Sequence, residues 1–106
     1  MPLHDFNELY AKYPDIIAQM PPVFTSHEFI LELARRNQRL YIEALYSYRA
    51  EGRPFNIVHA RLARYLGKQA HLVRMLTRHL PSSNILGQTA VCAQWEKLPY
   101  RAPHGS

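Results

Sequence analysis

Apolar residues recur at helical spacing along much of the chain, and the breaks between the runs set the expected elements. One series is Phe29, Leu33, Leu40 and Ala44; a second is Ile30, Ala34, Tyr41, Leu45 and Tyr48. Together they predict a single long helix over residues 26–50. Its start is written in local chemistry. Thr25-Ser26-His27-Glu28 fits a capping box, in which the threonine hydroxyl takes the amide three residues on and the glutamate reaches back. Phe24 and Phe29 stand at the two positions of a hydrophobic staple. Glu51-Gly52 is expected to end the helix, with the glycine as a left-handed cap.

Shorter runs flank this element. Residues 4–12 and 14–20 read as two short helices, because Pro14 suits a first turn and Asp15 faces the positive helix end. Met20-Pro21-Pro22 then stops the chain. Pro54 and Asn56 open a helix over 55–66, Gly67 breaks it, and a second short helix is expected over 70–80, ended by Pro81-Ser82-Ser83-Asn84. The stretch ILGQTAVCAQWEKL reads two ways. As strands, Gly87-Gln88-Thr89 turns a hairpin and Val91, Ala93 and Trp95 share a face; as a helix, Val91, Trp95 and Leu98 share one. The expected organisation is a helical extension over 1–22, one domain over 23–98 and a flexible tail over 99–106.

Charge changes the picture. The chain has 106 residues and a net charge of +5, unevenly placed. Residues 1–51 hold five basic and seven acidic side chains, whereas residues 52–95 hold Arg53, Arg61, Arg64, Lys68, Arg74 and Arg78 and no carboxylate. A solvated helix face ordinarily mixes signs, so a long acid-free stretch points to a polyanion as partner. Arg35, Arg36 and Arg39 are different, since Glu28, Glu32 and Glu43 on the same helix can pair with them.

The twenty residues from His59 to Arg78 carry a further pattern. Leu62, Leu66, Val73 and Leu76 are apolar at its fourth, eighth, fifteenth and eighteenth positions, Ala63 is small at the fifth, and Gly67 is the ninth. This spacing resembles the helix-turn-helix motif of bacterial and phage DNA-binding regulators. The resemblance covers about a fifth of the chain, and Lys68 departs from it where an apolar tenth residue is usual. It implies a mainly α fold: a three-helix core with a second, reading helix at about 70–80. The outward side of that helix would place Gln69, His71, Arg74 and Arg78 against base edges, arginine being suited to guanine and glutamine to adenine. Arg61, Arg64 and Lys68 would meet phosphates. If residues 84–95 form a hairpin, the resemblance is to the winged form of the domain, with Trp95 anchoring the wing.

The expected function is that of a small, sequence-specific reader of double-stranded DNA, a transcriptional regulator of prokaryotic kind acting by occupancy or recruitment. Such readers often pair to match two half-sites, and Tyr41, Tyr46 and Tyr48 are the candidate homodimer face. The rival is a helical protein-interaction module, an inhibitor or adaptor whose basic face meets an acidic partner.

Other chemistry finds little support. His71-Leu72-Val73-Arg74 matches a two-residue fragment of the tyrosine recombinase signature, in a chain too short for that domain. His59, His71 and His79 lack the three-to-five spacing of a helical zinc site, so no metal or cofactor is expected. Cys92 is alone, which excludes an intrachain disulfide, and its apolar setting suits an inert thiol. Carboxylates are scattered and glycine-rich phosphate loops are absent, so nothing argues for an enzyme. No apolar run nears the roughly 20 residues of a membrane span, and MPLHDFNELY lacks the basic start and apolar run of a secretory leader. A cytoplasmic protein is expected.

Overall fold

Thr25 is where the chain changes from strand to helix, and the computed structural model, which describes residues 5–98, places both halves of the expected capping box there. The Glu28 amide donates to Thr25 Oγ1 at 3.1 Å, and the Thr25 amide donates to Glu28 Oε1 at 2.8 Å. Phe24 and Phe29 close the staple, with ring centroids 6.2 Å apart. Before this junction lie two short helices, α1 (Asn7–Tyr10) and α2 (Tyr13–Gln19), and a three-residue strand, β1 (Val23–Thr25). After it come α3 (Ser26–Arg36), α4 (Gln38–Ser47) and α5 (Pro54–Leu66), then two long strands, β2 (Val73–Ser83) and β3 (Thr89–Lys97).

The single helix expected over 26–50 is divided. Asn37 leaves helical geometry at φ −136°, ψ 54°, and its side-chain amide donates to the Leu33 carbonyl at 3.1 Å. An asparagine side chain that bonds the preceding turn competes with the helical ladder, and the break lets both apolar series reach one core. Gly52 is not a left-handed cap. Among the described residues Gly87 alone has positive φ.

The larger correction concerns residues 70–80. They form no second helix; residues 73–83 are strand β2, which pairs antiparallel with β3 from Val73↔Lys97 to Ser83↔Thr89. The fold is therefore α/β, with helices packed on a three-stranded antiparallel sheet of order β1-β3-β2, and the mainly α helix-turn-helix core is not formed. The reason lies in the backbone. Register shifts between Met75 and Thr77 and between Thr77 and Leu80 interrupt the two-residue alternation of the strand. A bulged strand departs from strict alternation, and the three-residue spacing of Val73 and Leu76 marks no shared face here, since Val73 is buried and Leu76 exposed. The choice left open for residues 84–98 resolves as strand. Asn84 Oδ1 accepts from the amides of Leu86 and Gln88, and Gly87 at φ 80° completes the turn.

One continuous core joins these parts. Phe6, Leu9, Tyr13, Ile16 and Ile17 from the first two helices pack with Phe29, Leu33, Val58, Leu62 and Trp95. The Tyr13 hydroxyl donates to the Leu62 carbonyl at 2.6 Å, and the Tyr10 and Tyr65 rings stack at 3.7 Å. Lys97 at the end of β3 donates to the carbonyls of Ala18 and Met20, satisfying acceptors at the end of α2. Residues 5–22 thus share the core of the expected 23–98 domain; the expected tail over 99–106 lies outside the described residues. No helix among those described is long and apolar enough to cross a membrane.

Candidate nucleic-acid interface

Helix α5 sorts its residues cleanly. Val58, Leu62 and Leu66 are buried at helical spacing and hold it on the core. Asn56, Ala60, Arg64 and Lys68 follow at intervals of four and are exposed, forming a stripe that continues just past the helix end. This spacing puts them on one face. Pro54 opens the helix, where a missing amide costs nothing.

The β2–β3 hairpin stands beside that face, and the two enclose an open cleft of about 710 Å³. Asn56, Ala60, Ala63 and Arg64 of α5 form one wall; Met75, Arg78 and Cys92 belong to the other. Trp95 closes the inner end with its indole N–H bonded to Ser26 Oγ at 2.9 Å. Arg64, Lys68 and Arg78 border the cleft, and no Asp or Glu among the described residues lines it. The formal charges that line it are all positive.

Gly67 does not form the left-handed turn expected of it. It is in right-handed helical geometry, at φ −64° and ψ −16°. A Cβ there would lie 3.6 Å from the Trp95 ring and 3.4 Å from the Arg64 carbonyl, ordinary van der Waals contacts, so neither backbone nor packing requires glycine at this position.

Two histidines line the same cleft. His59 Nε2 lies 2.6 Å from the Tyr41 hydroxyl. Burial, aided by His27, pushes the His59 pKa down to about 4, while burial pushes Tyr41 up to about 12. Both are therefore neutral at pH 7, and one proton serves the contact. His27 is also lowered, by burial first, although the backbone of Ser82 and Ser83 favours its charged form. Its Nδ1 is buried without a hydrogen-bond partner among the described residues.

The residues expected to read bases divide in this structure. Gln69 is 8% exposed, in the turn between α5 and β2, so its side chain is not presented to a ligand. Arg74 is exposed on β2 but ion-paired with Glu96 across the sheet. His71 is exposed in the turn, and Arg78 reaches the cleft from the hairpin. Of the expected phosphate contacts, Arg64 and Lys68 border the cleft, whereas Arg61 turns toward the N-terminal helices, its guanidinium 5.4 Å from the Phe6 ring centroid. Asn56 was not among the expected residues; its place four before Ala60 and eight before Arg64 is the signal that identifies it. Tyr41 and Tyr48 of the candidate dimer face are buried, and Tyr46 is exposed with Arg49 over its ring. No group of three His, Cys, Asp or Glu among the described residues is placed to hold a metal.

Compared with protein-family models, with curated proteins and with solved structures, the chain matches none.

Proposed function

We propose that the protein binds duplex DNA in the cytoplasm, laying the exposed stripe of α5 in the major groove with the β2–β3 hairpin alongside. The observation that carries this reading is the acid-free cleft between them, lined by Arg64 and Lys68 from the side of α5 and by Arg78 from the hairpin. Cations converging without carboxylates suit a phosphate backbone, which supplies most of the affinity of such complexes. Asn56 and Arg64 are the base-reading candidates, since asparagine pairs bidentately with adenine and arginine with guanine. Lys68 and Arg78 are assigned to phosphates. In this reading α5 takes the reading place that residues 70–80 cannot, since residues 73–83 are strand β2. A regulator acting by occupancy follows from this reading.

Selection from a random duplex library with the purified protein tests it. An enriched sequence is expected, with preference at one position relaxed by Asn56→Ala and affinity for all sequences lowered by Lys68→Ala. Arg74→Ala serves as the control that leaves both unchanged. Absence of any enriched or salt-sensitive duplex, with retention of an acidic protein instead, would replace DNA by a protein partner.

A further inference from the structure

The cationic border of the cleft suits a polyanion, but its inner wall does not. Ile30, Phe55, Ala63, Ala93 and Trp95 line it, a hydrocarbon surface that offers nothing to a sugar-phosphate chain. A volume of about 710 Å³ lies in the range of small-molecule sites, which are mostly apolar with a few convergent polar groups. Here those groups are Arg64 and Lys68 at the border and His27, whose Nδ1 lacks a partner. Cleft residues on both walls are small (Ala60, Ala63, Ala90, Ala93), which leaves room for a ring. We infer that the cleft between α5 and the β2–β3 hairpin binds a small amphiphilic anion, a ring-sized apolar body bearing one carboxylate or sulfonate, with the ring against Trp95 and the acid group at Arg64 and Lys68. The ligand and a DNA backbone would need the same cations, so the two exclude each other, and the ligand releases the protein from DNA. Ligand binding stands without the DNA reading; only the release depends on it.

The test uses the full chain and 8-anilinonaphthalene-1-sulfonate, with neutral N-phenyl-1-naphthylamine as the uncharged comparison. Saturable one-to-one binding of the sulfonate is expected, at least tenfold tighter than that of the neutral amine. The double variant Arg64→Gln, Lys68→Gln, at exposed positions, should erase that tenfold preference. Ala93→Phe, on the face of β3 that carries Trp95, places a ring in the cleft from a strand position that tolerates aromatics, and should weaken both probes at least tenfold while thermal unfolding stays cooperative. Should Ala93→Phe not fold, the charge variant alone decides. The inference is overturned by non-saturable binding, by equal affinity for the charged and neutral probes, or by a folded Ala93→Phe protein that binds the sulfonate as before. Displacement of a bound labelled duplex by the sulfonate is measured separately. Probe binding without any duplex binding leaves the cleft site standing and removes the DNA reading; duplex binding without probe binding does the reverse.

Discussion

His59 sits where burial, aided by His27, opposes protonation, and this makes the protein's stability depend on pH. Above pH 6.5 the imidazole is neutral in both folded and unfolded chains and contributes no difference. Below it the unfolded chain takes up a proton that the folded chain refuses until about pH 4, so stability falls as pH drops between those limits. With solvent screening at a partly exposed ring, the loss is on the order of 1–2 kcal/mol. Urea unfolding at pH 7 and pH 4.5 should show that loss in the native chain and a smaller one in His59→Gln, which keeps a polar group for Tyr41. Equal losses would place the titrating group elsewhere. Trp95 offers a second residue-scale test. Its indole N–H is buried and bonded to Ser26 Oγ, so Ser26→Ala leaves a donor unpaired at nearly unchanged volume. An orphaned buried donor costs roughly 1–3 kcal/mol. A drop in melting temperature of about 5–15 °C is expected for a domain of this size, read from the fluorescence of the sole tryptophan.

At the scale of the element, what could be read in the sequence depended on how local its cause is. The capping box at Thr25 and the first-turn proline of α2 follow from residues a few positions apart, and each is formed; the hairpin, one of two readings of its stretch, turns over residues 84–88 and not 87–89. The break at Asn37 and strand β2 depend on what the chain packs against. In β2, Val73 and Leu76 stand three apart and imitate a helix face, although Leu76 is exposed, and two register shifts break the alternation that marks a strand. Its partner β3 begins only after the turn, and no pattern within β2 announces that pairing. The candidate site was partly legible for the same reason. Arg64 and Lys68 were marked by the acid-free stretch, while the misplacement of Gln69 and Arg74 followed from the helix that does not form. The hairpin turn has a separate test. Gly87 has φ 80°, where an added Cβ is strained even though nothing crowds it. Gly87→Ala should destabilise by about 1 kcal/mol, and amide exchange should speed up at the hairpin tip before the core is affected, because the cleft wall it holds is thinly packed.

At the scale of the whole molecule, the question is whether the positive charge acts as a general field or at fixed points. The chain carries a net +5, and a diffuse field would attract any polyanion through all of its cations alike. The structure separates them. Arg35 and Arg36 pair with Glu32, Arg39 with Glu43 and Arg74 with Glu96, whereas Arg64, Lys68 and Arg78 border a cleft free of carboxylates. If DNA binds at that cleft, the two phosphate contacts of Lys68 and Arg78 give a slope of log K against log salt of about −1.8. Affinity should then fall about twelvefold between 50 and 200 mM salt. Removing Lys68 or Arg78 should make the slope shallower by about 0.9 each, because each releases one counterion equivalent on binding. Removing Arg39, whose charge is offset by Glu43, should leave the slope where it was. Fluorescence anisotropy of a labelled duplex across a salt series measures all three. An equal change in slope for Arg39 and Lys68 would mean that the field, and not the cleft, holds the DNA, and the assignment of α5 as the reading helix would lose its support.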